Sequence, residues 1–329
     1  RKARFPSGLV LARWWLSLLL ARTDMLWRAA IVRRSTFVRR LTSLSPHLWS
    51  KIGQIDLQKT TSVDLCGKGL RATEMDAIAL ELSENTQLQR LDLTANGFGG
   101  DGAPAVSQIV RSCPTLEVLA LGNNNLRAGV VTLAEALATH ERLRVLHIQA
   151  NVVGPSSVKT LATAIASAPG LEDLDLSSNA FGPVGGVAIA EALASSASAS
   201  SLERLDLTAC AVGMRGAVAI AQALSGEGVA HRLRSIEMTT NFIGPDGLSA
   251  FATMLMGNTT LEELSLSDNA IGELGDRDTG TCGQALAAAL EMNQSLRVLD
   301  LTFNNLSAAA TQALVAASAR RAVPLELKF

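Results

Sequence analysis

The sequence predicts an α/β solenoid, or horseshoe, of about nine strand–helix repeats behind a helical, basic N-terminal arm. Three observations lead to this prediction. A leucine pattern recurs at intervals of 27 to 35 residues, and alanine-rich amphipathic segments lie between its copies. Basic residues concentrate before residue 54, so the charge pattern changes along the chain. We therefore place an arm at residues 1–53 and a repeat domain at residues 54–329.

The repeats share the pattern L-x-x-L-x-L-x-x-N-x-(L/V/I/F)-G, as in LQRLDLTANGF. Eight units begin at Leu88, Leu116, Leu143, Leu171, Leu202, Leu233, Leu261 and Leu296, and a shorter unit precedes them from Ser62. In L-x-L, both leucines point to one face of a short strand and the residue between them points to the other. One unit cannot bury its own apolar face, whereas stacked units share a continuous core.

An asparagine follows the strand in most units. The series is Asn96, Asn124, Asn151, Asn179, Asn241, Asn269 and Asn304, while Lys68 and Cys210 take this place in two other units. We expect these amides to bind backbone groups of the turn that would otherwise be buried and unpaired. Gly97, Gly99 and Gly102 also fit G-x-G-x-x-G. However, sister units carry similar turns, so a dinucleotide-binding loop is not predicted.

Two segments depart from the regular repeat. Residues 272–283, GELGDRDTGTCG, lengthen one unit, and we expect an enlarged loop between strand and helix there. The closing VPLELKF reads as a last edge strand, on which Pro324 and Lys328 would discourage further pairing.

The repeated pattern resembles the leucine-rich repeat, in its long, ribonuclease-inhibitor-like form. The resemblance covers residues from about 55 to 329. It implies a horseshoe whose strands line a concave face and whose helices form the convex face. It also implies a protein-binding function, because such repeats present extended concave surfaces.

The residue between the two leucines would project from the concave face. Seven of these positions are the candidate partner-binding residues: Asp64, Asp92, His147, Asp175, Asp206, Glu237 and Asp300. One interpretation is an acidic surface that binds a basic protein segment, because stacked carboxylates repel one another unless they are matched. The other interpretation is an ordinary solvated strand surface.

The repeats show no grouping of nucleophile and base that would indicate catalysis, so no enzymatic activity and no catalytic residues are predicted. The four cysteines are far apart and histidine is scarce. These features predict neither a zinc site nor a cofactor.

The arm has a different composition. Residues 1–53 contain eleven Lys or Arg residues, one acid and all four tryptophans. The candidate anchoring residues are Arg13, Trp14, Trp15, Trp27, Arg33, Arg34, Arg39 and Arg40. An arginine-rich, acid-poor, amphipathic segment is typical of mitochondrial targeting. Its partners could be ribosomal RNA, a membrane surface, an acidic protein groove or the chain's own concave face.

Together these observations predict a non-catalytic scaffold within a large mitochondrial assembly, in contact with its other protein subunits. The arginines favour the mitochondrial ribosome. The alternatives are a peripheral subunit of a respiratory complex or ATP synthase, and a cytosolic ribonuclease-inhibitor-like or GTPase-regulating binding protein.

Overall fold

The computed structural model describes residues 45–53, 55–195, 201–225, 232–272 and 276–329, without the side chains of residues 46, 49 and 276–280. It divides the chain after Gly53. Helix α1 (Pro46–Ile52) precedes this division. The arginines and tryptophans predicted to anchor the arm all lie outside the described residues, so their role stays a prediction.

Strands and helices alternate in the unit that follows. The strands are β1 (Ser62–Asp64), β2 (Arg90–Asp92), β3 (Val118–Ala120), β4 (Val145–His147), β5 (Asp173–Asp175), β6 (Arg204–Asp206), β7 (Ser235–Glu237), β8 (Glu263–Ser265), β9 (Val298–Asp300) and β10 (Glu326–Lys328). The helices are α2 (Ala72–Leu82), α3 (Ala103–Ser112), α4 (Val130–Leu137), α5 (Pro155–Ser167), α6 (Gly182–Ala194), α7 (Gly213–Leu224), α8 (Gly244–Gly257), α9 (Asp276–Met292) and α10 (Ala308–Arg320). Short 3₁₀ turns at 100–102 and 127–129 lead into α3 and α4.

All ten strands form one sheet in chain order, and every neighbouring pair is parallel. The register is constant, so equivalent residues of successive units lie opposite one another, as Leu91 does with Leu119. These observations confirm the predicted α/β solenoid of strand–helix repeats. The final strand β10 pairs with β9 as the predicted edge strand.

The core lies between the sheet and the helices. The middle residue of each strand is buried in β1 to β9, and so is the leucine, isoleucine or methionine that follows the strand, as Leu91 and Leu93 show. Helices supply the opposite wall through residues such as Leu133, Leu161 and Phe251. Burial of such side chains stabilises the fold by ~1.5–3 kcal/mol each.

The asparagine series forms the predicted ladder. Asn151 Nδ2 donates to the carbonyl oxygens of Leu121 and Ile148, both at 2.9 Å. Its Oδ1 accepts from the backbone N–H groups of Asn124 and Leu126, both at 3.1 Å. At the substituted position, Cys210 Sγ donates to a carbonyl oxygen at 3.2 Å and so replaces part of this function. Lys68 is exposed and lies outside the ladder.

A second set of buried polar side chains lies at the turns from helix to strand, and the sequence reading did not find it. Asn85 Nδ2 donates to two carbonyl oxygens at 2.8 Å. His140 Nε2 lies 3.1 Å from the carbonyl oxygen of Cys113, and Asn293 Nδ2 donates to that of Leu255 at 2.9 Å. Arg321 closes the series, since its guanidinium donates to carbonyl oxygens of the preceding unit.

The enlarged loop predicted at residues 272–283 is wrong for most of its length. Residues from Asp276 onward belong to α9, which has 17 residues where the other helices of the repeats have 8 to 14. The inserted residues therefore lengthen the start of the helix. Within the described ranges, no helix combines the length and apolar character needed to cross a membrane.

Candidate functional site: the open face of the sheet

The open sheet face is the side of the strands that faces away from the helices. In β2 to β7 the middle residue is buried, and most of the residues on either side are exposed or half-buried. Each strand therefore presents two residues on this face, because side chains alternate along a strand. We call the first residues of the strands the first row and the third residues the second row. The sequence pattern predicted only the second row. The first row includes Arg90, Asp173, Arg204 and Glu263.

All seven predicted concave-face residues lie on the open sheet face. Asp64 is exposed and the other six are half-buried. The register places Asp175 opposite Asp206, and Asp206 opposite Glu237. It does not bring the whole set together. Ala120 separates Asp92 from His147, and Ser265 separates Glu237 from Asp300.

Negative charge is concentrated in the second half of the sheet. We call the carboxylates of β5 to β9 the acidic section; its members are Asp173, Asp175, Asp206, Glu237, Glu263 and Asp300. Arg204 is the one basic residue within these five strands. In contrast, β3 and β4 present Val118, Ala120 and Val145 on the same face. When the first row is included, the acidic surface is confined to β5 to β9 and does not extend over the whole face.

The five aspartates of the second row also have a structural role. The Oδ1 atoms of Asp92, Asp175 and Asp206 accept the backbone N–H two residues further on, at 2.8–2.9 Å. Asp64 and Asp300 do the same at 3.0 and 2.9 Å. The parallel ladder uses the N–H groups on either side of this one, so the aspartate satisfies the remaining donor. This contact explains the recurrence of aspartate between the leucines, and no binding partner is needed to account for it.

Glu237 differs from these aspartates because its carboxylate takes a hydrogen bond from the Ser265 hydroxyl. Burial raises the pKa of Glu237, and the carboxylates of Asp206, Glu263 and Asp300 raise it further. Burial likewise raises the pKa of Asp206, to which Asp175 and Asp173 add. The ionised forms of both groups are therefore unfavourable in the folded protein.

His147 and Arg204 lie on either side of Asp173. Arg204 Nε is 2.9 Å from Asp173 Oδ2, and His147 Nε2 is 3.7 Å from Oδ1. The contact with His147 lowers the pKa of Asp173, and the same contact raises the pKa of His147. Arg204 and His147 thus already contact Asp173, so the unmatched charge of the acidic section belongs to its other carboxylates. Within the described ranges, no three His, Cys, Asp or Glu side chains converge as a metal site requires.

Comparison with known families decides the type of repeat. A family model described as leucine-rich repeat matches residues 84–107, 170–190, 198–221, 257–275 and 293–315. Each matched segment contains one strand of the parallel sheet, so the match follows the repeat units. The chain is a leucine-rich repeat protein. The ribonuclease-inhibitor-like form stays a prediction.

Leucine-rich repeats indicate a protein-interaction scaffold, since their stacked units create extended binding surfaces. The expectation that no side chain is catalytic stays a prediction. No curated protein matches the sequence of this leucine-rich repeat protein.

Several solved structures match the chain in part or over most of its length. One is of actin-binding site 2 of leiomodin-1, which is 23% identical over 41% of this chain and 70% of that chain, with a TM-score of 0.32. A second is of the yeast Rad7–Elc1 complex, 16% identical over 94% of this chain and 85% of that chain, with a TM-score of 0.42. A third is of the TLR13–ssRNA13 complex, 17% identical over 66% of this chain and 32% of that chain, with a TM-score of 0.38.

Proposed function

We propose that this leucine-rich repeat protein is a non-catalytic scaffold that binds a basic segment of another protein on the acidic section. The observation that carries this proposal is the run of Asp175, Asp206 and Glu237 at directly opposed positions of three successive strands. Like charges at opposed positions destabilise a sheet. Arg204 points its guanidinium at Asp173, so the run keeps its negative charge. A cationic partner would relieve this repulsion.

The alternative, an ordinary solvated surface, explains the aspartates but not the whole acidic section. The aspartates of the second row are accounted for by the backbone N–H groups that they accept. Glu237 and Glu263 have no such role, yet they add charge beside Asp206 and Asp300. Their presence favours a surface that a partner neutralises.

Zero-length carbodiimide coupling tests this function, because it joins carboxylates to lysine amines that touch them. The protein would be coupled to its partners in a cell extract and the linked peptides identified by mass spectrometry. We expect links from the acidic section to lysines in net-basic segments. These links should disappear in a variant with Asp175, Asp206 and Glu237 changed to Lys. Links that arise only from the helices would contradict the proposal.

The assembly to which the scaffold belongs is proposed from the composition of residues 1–53. Eleven basic residues and one acid suit mitochondrial import and contact with phosphates. We therefore propose a mitochondrial location, a place among the protein subunits of the mitochondrial ribosome, and an arm that contacts ribosomal RNA. A peripheral subunit of a respiratory complex or ATP synthase would use the same arm on a membrane surface.

Sedimentation of the C-terminally tagged protein from gently lysed mitochondria, with and without RNase, separates these assemblies. We expect migration with ribosomal particles that RNase abolishes. Migration that resists RNase and follows detergent-solubilised membrane complexes would point to the respiratory chain or ATP synthase. Absence from mitochondria would leave the cytosolic binding protein.

A further inference from the structure

Two phenylalanines are exposed at the edge of the sheet where the strands end. Phe242, in the turn after β7, is 67% exposed, and Phe303, in the turn after β9, is 81% exposed. Phe98, Phe181 and Phe251, by contrast, are buried. The rings of Phe242 and Phe303 therefore contribute little to the hydrophobic core.

The backbone at these two positions does not favour a large side chain. Both residues have φ of +58°, in the left-handed region that is unusual for bulky residues. In the turn after β2, Ala95 holds the position equivalent to Phe303, and Gly97 holds that equivalent to Phe242. Ala and Gly thus satisfy the turn after β2, and the fold does not require an aromatic ring at either place.

The stacked turns determine how the two residues are placed. Thr240 N donates to the Ser267 carbonyl oxygen at 3.0 Å, so the turn after β7 lies against the turn after β8. Asp268 N donates to the Thr302 carbonyl oxygen at 2.9 Å, which joins that turn to the one after β9. Phe242 and Phe303 therefore belong to turns that are two repeats apart, and the spacing of neighbouring strands separates those turns by roughly 10 Å.

Asp268 belongs to the turn between the two phenylalanines. It is exposed, and its Oδ2 accepts a hydrogen bond from the Thr240 hydroxyl at 2.9 Å. Asp300 of the acidic section is only three residues before Phe303, and Glu237 is five residues before Phe242. The edge thus combines two exposed rings with nearby carboxylates.

We infer that this edge, formed by Phe242, Asp268 and Phe303, binds arginine side chains of a basic protein segment. A guanidinium stacks on an aromatic face and pairs with a carboxylate through two parallel hydrogen bonds. Lysine offers a compact, strongly hydrated charge and does neither as well. The inference rests on the proposed function, because it specifies the chemistry of the segment that the acidic section receives. Single-stranded RNA would also stack on the rings, but the surrounding carboxylates repel its phosphates.

Fluorescence anisotropy of the full chain with two labelled peptides tests the inference. One peptide alternates glycine and arginine, and the other replaces every arginine with lysine at equal length and charge. Wild-type protein should bind the arginine peptide about fivefold more tightly than the lysine peptide. The double variant Phe242→Ala/Phe303→Ala should lose this preference and keep its affinity for the lysine peptide.

Matched variants distinguish the role of this edge from loss of folding and from loss of exposed apolar surface elsewhere. Both alanines reproduce sister turns, since Ala95 and Ala270 also have positive φ, so the double variant should fold with an unchanged midpoint of thermal unfolding. Val152→Ala removes another exposed apolar residue with positive φ, outside β5 to β9, and should leave the arginine preference intact. Asp268→Asn should weaken binding of the arginine peptide more than that of the lysine peptide.

The outcomes distinguish the inference from the proposed function. Equal affinity of wild type for both peptides, with no effect of the Phe242→Ala/Phe303→Ala change, would overturn the inference and leave the basic-segment function standing. Failure of both peptides to bind would overturn both. Tighter binding of labelled oligouridine than of the arginine peptide, lost in the same double variant, would assign the edge to RNA and overturn the inference.

Discussion

Asp206 lies directly opposite Glu237 on the neighbouring parallel strand, and burial raises the pKa of both carboxyl groups. Each group disfavours the ionised form of the other, because like charges at adjacent positions repel. The fold thus carries two carboxylates at a cost to its own stability. A binding surface that meets a cation has this property, because a partner removes the repulsion.

Neutralising Glu237 should therefore stabilise the isolated protein. Its folded pKa is raised, so the stability linked to this group is present at low pH and is lost as pH rises through the folded value. We expect Glu237→Gln to unfold at a higher temperature than wild type at pH 7 and at an equal temperature near pH 4. Thermal unfolding followed by circular dichroism measures this difference. Glu141→Gln, at an exposed position, serves as the control and should show no such gain.

The contact between His147 and Asp173 should stabilise the fold within a window of pH that is bounded on both sides. The pKa of His147 is raised above its usual value of 6.5, so its contribution is present below that pH and is lost as pH rises through the folded value. The pKa of Asp173 is lowered from 3.8, so its contribution is present above that pH and is lost as pH falls further.

Between these limits, we expect His147→Gln to reduce the free energy of unfolding by about 0.5 kcal/mol, since the pair is partly exposed. The reduction should be smaller at pH 9. Urea unfolding at a pH within this window and at pH 9 measures the difference. A loss that is the same at both pH values would show that His147 acts through packing alone.

The asparagine ladder should make a large contribution to the free energy of unfolding, because it pairs the buried backbone groups of the turns. Asn151→Ala leaves two buried N–H groups and two carbonyl oxygens without this partner. We expect a loss of about 3 kcal/mol, because unsatisfied buried polar groups are costly. Asn125→Ala, at an exposed position with positive φ, should cost less than about 1 kcal/mol. Comparable losses in the two variants would contradict the role given to the ladder.

Arg321 should stabilise the last helix-to-strand turn. It is buried and donates to the carbonyl oxygens of Leu290, Asn293 and Leu296. Arg321→Met keeps the side-chain volume but removes these bonds, and we expect a loss of about 2–4 kcal/mol. Arg320→Met removes only an exposed ion pair with Glu291 and should cost less than about 1 kcal/mol. Chemical denaturation of both variants gives the comparison.

The regular part of the fold could be predicted because each unit repeats the same arrangement of strand, turn and helix. The leucines identify the strand and the buried face of each unit, and the ladder asparagines identify the turn in all units except those of Lys68 and Cys210. The second polar set could not be found in this way, because Asn85, His140 and Arg321 do one task with different chemical groups. Helix α9 was misjudged because an insertion that adds helical turns looks like a loop when units are aligned by their leucines.

The candidate site was predicted only in part, for a geometric reason. Counting the residue between the leucines found Asp206 and Glu237 but missed Asp173 and Glu263, which alternate onto the same face. Their positions determine where the surface is acidic and which carboxylate Arg204 neutralises. Phe242 occupies a turn position that varies from unit to unit and is filled by Gly97, Val152 or Ala270 in others, so only its exposure in the folded chain reveals its significance.

The central claim is that the second half of the open sheet face binds a basic protein segment. The most direct measurement compares the affinity of a labelled lysine–glycine peptide for two double variants of the full chain. One is Asp206→Asn/Glu237→Gln, and the other is Asp64→Asn/Asp92→Asn, which removes the same charge from the first half of the face. We predict at least about tenfold weaker binding for the former and an affinity close to wild type for the latter. Equal affinities for wild type and both variants would contradict the claim.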